Sequence, residues 1–318
     1  QRGEKMSEKS YNLQLGPIYS RFGEEFPFDL REYLSDAMAV EVKNARHTPR
    51  FRMGLWDGFH RFFAAASASF LTGLTSWVVE LLAAKKIAVI EIVDQLPPCT
   101  PRVPEPKSMI VLRDYQAKIV EEAISLRRGI IEAAVNAGKS EVATEIVRRL
   151  RIPTLYTVPT QRLYDQALET FRERLPKLEI GELKAGVFKP GLVTIAMIQS
   201  LSRGLSTIDH GGSDKIRRWI KTVECVIADE VHHSAAEKYS LSFKRATRAP
   251  YRFGLSATPL GMSEKRDKLL IGLIGPPFGT ITAKELERQG LSVKTEVRFI
   301  SYPQIENELR AFSGADYR

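Results

Sequence analysis

The chain has 318 residues, 43% of them hydrophobic, and a formal charge of +9. This length predicts about two domains of roughly 100–200 residues each, and the charge points to a polyanionic partner, although a mildly basic surface also serves solubility. Two cysteines, Cys99 and Cys225, exclude a disulfide framework or a four-ligand zinc site, and the lack of any apolar run near the ~18 residues of a membrane span, with a polar start at Gln1 to Ser10, predicts a soluble, cytoplasmic protein without membrane contact.

From the N-terminus, Tyr11 to Tyr19 reads as strand and Asp29 to Val42 as amphipathic helix. Strands follow around Phe51 to Phe63 and Ser69 to Leu74, then helix Trp77 to Lys86 and strand Ile87 to Val93. These elements describe a small α+β domain over residues 1–96. Within it Arg50 and Arg52 interleave with Phe51, Trp56 and Phe59; basic residues beside aromatics suit a DNA grip, and a strand pair alternating between solvent and core explains the pattern equally well. Residues 96 to 106 hold five prolines in eleven positions, so residues 97–108 should form a stiff, extended linker.

After the linker, apolar strands near Gly129 to Ala133, Thr154 to Val158, Val193 to Ile198, Val223 to Ala228 and Arg252 to Ser256 alternate with helices. Such alternation predicts an α/β fold with a mainly parallel sheet. Thr282 to Gln289, Gly290 and a strand from Val297 to Tyr302 read as the exit from this domain, placing it over residues 109–302. Trp219, in a basic helix, reads as a packing anchor rather than a base-stacker.

The chemistry concentrates in short motifs. Ala133-Ala134-Val135-Asn136-Ala137-Gly138-Lys139-Ser140 ends as a phosphate-binding P-loop does, where backbone N–H groups and a helix N-terminus face phosphates, lysine reaches the β and γ groups and serine meets magnesium. Ala133 stands where the leading glycine is usual, and Asn136 and Ala137 make the tight turn, asparagine being tolerant of left-handed geometry. Val142, Ala143, Ile146, Val147 and Leu150 then form the apolar stripe of the helix this loop requires. The apolar strand at Val223 runs into Asp229-Glu230-Val231-His232. Paired carboxylates at the C-terminal end of a buried strand sit where parallel sheets bind ligands, and are costly there without a metal or catalytic task. Upstream, Leu112-Arg113-Asp114-Tyr115-Gln116 carries a glutamine able to pair with an adenine edge, or simply to begin a helix in solvent.

With Val158-Pro159-Thr160, Gln199-Ser200-Leu201 and Leu255-Ser256-Ala257-Thr258-Pro259, these motifs stand in the order found in superfamily 2 helicases and translocases, which the chain resembles over residues 109–302. The His232 ending of the acidic tetrad resembles the DNA-handling branch rather than the DEAD-box RNA branch. Pro49-Arg50-Phe51-Arg52-Met53-Gly54-Leu55-Trp56-Asp57-Gly58 resembles the N-terminal domain of the phage UvsW-type recombination helicases.

The resemblance implies a RecA-like P-loop NTPase domain and an ATP-dependent DNA helicase or double-stranded DNA translocase acting on branched recombination or replication intermediates, with ATP and Mg2+ as cofactors. Lys139 would hold the phosphates, Ser140 and Asp229 the magnesium, and Glu230 would activate the attacking water. Gln116 with Arg113 would read adenine, and the loop from Asn136 to Gly138 would cradle the phosphates. His232, Ser256 and Thr258 would couple hydrolysis to movement. Thr160, Gln161, Arg162, Thr194, Gln199 and Ser200 would form the DNA track, with Arg50 and Arg52 added by the small domain. Double-stranded or branched DNA, and other recombination or replication proteins, are the implied partners, and a host cytoplasm the setting for a phage protein. Motors of this superfamily set ATP between two RecA-like domains, so residues 303–318 are expected to begin the connection to a second one. Gly261 stands where related sequences often carry arginine. A DNA-binding or annealing module that uses ATP only as a conformational ligand, and the motor of a restriction system, are the alternatives.

Overall fold

A computed structural model describes residues 11–87, 90–206, 213–231 and 236–293. The chain through Thr282 forms one compact unit and residues 283–318 a second. The expected strand from Val297 and the expected connection at 303–318 lie outside the described residues.

The N-terminal part begins with β1 (Tyr11–Leu15), β2 (Tyr19–Phe22), α1 (Phe28–Ala37), β3 (Ala39–Glu41), α2 (Pro49–Arg52), β4 (Phe59–Arg61) and β5 (Phe63–Ala64). It closes with β6 (Ser69–Leu71), α3 (Thr75–Ala84) and β7 (Ile90–Asp94). Five strands form a sheet in the order β5-β6-β2-β1-β7, and β3 and β4 make a separate ribbon. Several boundaries differ from the sequence reading. Gly16 and Pro17 turn the chain, so Tyr11 to Tyr19 is not one strand but the start of the antiparallel β1–β2 hairpin. The helix expected to reach Val42 stops at Ala37, where the chain enters β3. Phe51 and Arg52, expected in a strand, lie in α2 instead, because Thr48 caps that turn through the Phe51 N–H and Pro49 occupies its first position.

The larger part comprises α4 (Asp114–Leu126), β8 (Arg128–Ala133), α5 (Lys139–Leu150), β9 (Thr154–Val158), α6 (Gln161–Arg174), β10 (Ile180–Lys184), β11 (Val187–Lys189) and β12 (Val193–Met197). It continues with α7 (Ile198–Leu205), α8 (Asp214–Trp219), β13 (Cys225–Asp229), α9 (Ala236–Arg245), β14 (Tyr251–Ser256), α10 (Glu264–Ile274) and β15 (Pro277–Ile281). In the second unit the described helix is α11 (Ala283–Arg288). The eight strands order as β11-β10-β12-β9-β13-β14-β8-β15, all neighbours parallel except the β10–β11 hairpin. Every residue of β9 and of β13 is buried, as a parallel sheet covered by helices on both faces demands. The linker carries no helix or strand and lies along this domain: the Arg102 N–H donates to the Arg151 carbonyl, and Glu105 pairs with Arg148 at 2.7 Å.

Arg252 enters β14 wholly buried and donates to the carbonyls of Phe243, Ala246 and Ala249 at 2.8, 2.7 and 2.9 Å, closing the C-terminal end of α9. The two sheets share one hydrophobic core, in which Leu71 and Leu74 meet Leu270 and Ile274. Their seam is a close backbone approach: a Cβ at Gly73 would collide with the carbonyl of Ile271, and one at Gly272 would meet Leu71 at 2.8 Å. Gly73→Ala should therefore lower stability by about 1–3 kcal/mol through overpacking, read as a fall in Tm by calorimetry; an unchanged Tm would show that the seam is not packed this tightly.

Candidate nucleotide and nucleic-acid site

Because β8, β14, β13, β9 and β12 run parallel, the loops leaving their C-terminal ends share one edge of the sheet. Ala133 ends β8 and leads into the 134–138 loop, in which Asn136 (φ 67°) and Gly138 (φ 74°) are left-handed. Gly138 is required twice, for its backbone conformation and because a Cβ there would strike the Gln116 amide. Lys139 and Ser140 open α5, and the Lys139 ammonium bonds the Ala133 carbonyl at 3.2 Å while lying 3.8 Å from a Glu230 carboxylate oxygen.

Asp229 ends β13, is buried, and accepts the Glu230 N–H at 3.0 Å. Burial first, and then the adjacent Glu230 carboxylate, push its carboxyl from 3.8 up to about 6, against the opposing effects of Tyr156, which hydrogen-bonds it, and of Lys139. Glu230 itself holds φ 51°, a left-handed conformation uncommon for glutamate, of the kind that concentrates at functional sites. One strand over, Ser256 ends β14 and accepts the Thr258 N–H at 3.1 Å. His232 lies outside the described residues.

Gln116 is buried: its oxygen accepts the Arg113 N–H at 2.9 Å and its amide donates to the Ala137 carbonyl at 3.0 Å. The glutamine thus braces the phosphate loop rather than lying solvated. The Tyr115 hydroxyl donates to the same carbonyl at 2.9 Å and accepts from Arg113 at 3.0 Å. Arg113, Gln116, Asn136 and Gly138 line an open cleft of 400 Å³, closed on another side by Glu141 and Arg174, paired at 3.0 Å.

Thr160 caps α6, and it, Gln161 and Arg162 are exposed after β9. Gln199, exposed after β12, donates to the Pro159 carbonyl at 2.7 Å and ties the two loops together, with Ser200 half-buried beside it. Thr194 does not join them. It is wholly buried inside β12, its hydroxyl accepting the Gly191 N–H at 3.2 Å, so its role is to hold the turn before the strand. Arg50 and Arg52 are exposed on α2.

Sequence reasoning missed three contributors. Tyr156 bonds the Asp229 carboxyl and the Tyr239 hydroxyl donates to the Asp229 carbonyl at 2.7 Å, fixing both ends of that residue, while the Glu141–Arg174 pair bounds the cleft. The tyrosines lie within an apolar strand and a helix and carry no short-motif signal.

The donor set fits a magnesium nucleotide. The loop offers backbone N–H groups at a helix start, the lysine is held by a carbonyl and a carboxylate among the described residues, and the adjacent Glu230 carboxylate raises the cost of ionising Asp229. Among the described residues no cluster of three or more His, Cys, Asp or Glu could hold a metal alone, so phosphates would complete the magnesium shell. No described helix is long and apolar enough to cross a membrane.

Residues 109–261 match the family described as type III restriction enzyme, res subunit. Over 204 residues the chain is 33% identical to the DNA 3'-5' translocase XPB2 of Sulfurisphaera tokodaii, covering 64% of this chain and 42% of that protein. Putative helicase 22 of a Sulfolobus islandicus filamentous virus is 28% identical over 215 residues, 63% of this chain and 37% of the relative. The fold matches the UvsW helicase of bacteriophage T4 with a TM-score of 0.65 at 18% identity, over 85% of this chain and 99% of that one. Residues 109–261 thus carry the sequence pattern of that family, and the fold is that of T4 UvsW. A second T4 UvsW structure gives a TM-score of 0.66 with 57% of its length matched. The chain spans less than half the length of the curated relatives it matches.

The raised Asp229 carboxyl makes stability depend on pH. Between about pH 4 and 6 the folded chain keeps a proton that the unfolded chain has lost, so stability from this group is complete below 3.8 and is lost as pH rises through about 6. Asp229→Asn should flatten that part of the stability profile and raise Tm at pH 7 to 8, as thermal melts across pH will read; an unaltered slope would show that Asp229 is not the buried acid described.

Proposed function

We propose that this chain belongs to an ATP-dependent DNA helicase or double-stranded DNA translocase of superfamily 2 that acts on branched recombination or replication intermediates. The observation that carries this reading is the meeting of Lys139, Asp229 and Glu230 at one sheet edge, with Lys139 and Glu230 3.8 Å apart. Lys139 exchanges its contacts with Ala133 and Glu230 for the β and γ phosphates of ATP, and Glu230, released from the ammonium, orients water and accepts its proton. Ser140 and Asp229 would hold magnesium, which would supply charge neutralisation on the phosphates. Gln116 and Arg113 stand at the cleft where adenine is read.

The loops after β9 and β12 carry Thr160, Gln161, Arg162, Gln199 and Ser200 as phosphate contacts, to which the small domain adds Arg50 and Arg52. Hydroxyls, amides and N–H groups of this kind position a backbone without reading bases, so binding should be sequence-tolerant and weaken with salt. The XPB2 relative is named a DNA translocase, which supports DNA as the polymer. Ser256 and Thr258, one strand from both phosphate loop and acidic pair, relay the nucleotide state to this track, with His232 as their expected partner. The restriction-enzyme family description keeps a restriction motor as the second reading.

Lys139→Ala and Glu230→Gln should each lower DNA-stimulated ATP hydrolysis by about a hundredfold or more. Retained stimulation in either variant sinks the assignment. If the wild type does not turn over ATP on forked DNA while Lys139→Ala still binds DNA, the protein is a DNA-binding or annealing module instead.

A further inference from the structure

A cavity of 560 Å³, larger than the nucleotide cleft, lies away from the motifs, between α10 and the end of β3, with Lys43, Met262, Lys265 and Arg266 in its wall. A second, of 310 Å³, shares Val42 and Lys265 with it and is bounded by Arg50, Trp56, Phe59 and His60. Both volumes fall in the range of roughly 300–1,000 Å³ usual for ligand sites.

The aromatic wall is rigid. The Trp56 indole N–H donates to the Phe59 carbonyl at 2.8 Å, and the Phe59 N–H donates to the Asp57 carboxylate at 3.1 Å, which is itself paired with Arg61. Apolar surface is left open beside it, with Phe59 41%, Met53 69% and Leu55 68% exposed. Lys43, Arg50, Lys265 and Arg266 make no ion pair among the described residues. Burial, and then Lys265 and Lys244, depress the His60 imidazole, which marks the second cavity as electropositive. Glu41 and Glu264 line only the first cavity, so an anion is favoured in the second.

A ligand for such a groove needs flat apolar faces and negative charge together. Unpaired nucleotides have both, whereas a duplex stacks its bases out of reach. The groove is also tied to the motor edge, because the Gly261 and Met262 N–H groups, in the loop that leaves Ser256, donate to the Asp267 carboxylate of α10 at 2.9 and 3.4 Å.

We propose that this groove takes the unpaired nucleotides of a DNA branch, with bases against Trp56 and Phe59 and phosphates beside Arg50 and Lys265. The proposal rests on the DNA-motor reading and adds which surface recognises the branch and how its occupancy reaches the Ser256–Thr258 loop. The test is binding of the whole protein to a fork with one single-stranded arm and to a blunt duplex of equal length, for the wild type, Trp56→Ala and Lys265→Ala. Photocross-linking from iododeoxyuridine placed in the single-stranded arm accompanies it. Loss of one stacking contact should weaken fork binding about tenfold and leave duplex binding unchanged, and cross-links should fall within residues 50–60. Unchanged fork preference in both variants, or cross-links confined to the loops after β9 and β12, would overturn the proposal while the motor reading stood. Self-association lost in Trp56→Ala with fork binding intact would assign the groove to a second copy and overturn it too. Failure of the wild type to bind any DNA would instead remove the motor reading.

Discussion

Lys139 and Glu230 are ninety-one positions apart in sequence and 3.8 Å apart in space, and the rest of the site is arranged around keeping them so. Their separation is set by three parallel strands in register, with Asp229 opposite Leu255 across β13 and β14 and Ser256 opposite Glu132 across β14 and β8. An ammonium and two carboxylates gathered at a half-buried edge would drift toward solvent or neutralise if the strands beneath them could slip. The sheet prevents this with buried β9 and β13, and with Arg252 anchoring β14 to the end of α9.

The same edge distributes its cost unevenly. Asp229 carries the burden, buried beside a second carboxylate and held up to about 6, while Glu230 remains more accessible and adopts a left-handed backbone. That division suits the two proposed roles: a buried group whose charge a metal cation would complete, and a half-buried one beside the Lys139 ammonium. The Tyr239 hydroxyl holds the Asp229 carbonyl at 2.7 Å, while Tyr156 and Lys139 favour the charged carboxylate against its burial.

The small domain is not an independent appendage of this sheet. Gly73 and Gly272 let it approach α10 at backbone distance, and α10 holds the loop that leaves β14 through Asp267. A mechanical route therefore runs from the N-terminal sheet through one helix to the strand end between the phosphate loop and the acidic pair. Packing, rather than a flexible tether, is what links the two parts: the proline-rich segment between them is itself pinned along the larger domain by Arg102, Glu105 and Arg148.

Much of this was legible in the chain. The phosphate loop, the Asp229–Glu230 pair and the alternation of apolar strands with helices declare themselves locally, because loop chemistry and strand burial are written in neighbouring residues. The strands at Thr154 and Arg252 and the helix behind Ser140 likewise follow from short-range pattern. Tertiary structure alone decided the rest. Thr194 looked like a loop contact, yet the strand register buries it; Phe51 and Arg52 looked like strand, yet Thr48 and Pro49 start a helical turn. By spacing alone Gln116 slightly favoured a solvated helix start, and only the fold brought Ala137 to its amide. Tyr156 and the Glu141–Arg174 pair left no local trace, and the pattern of Arg50, Trp56 and Phe59 did not reveal that Lys265 would join them, because each depends on which elements become neighbours, and that is settled by the packing of surfaces far apart in the chain.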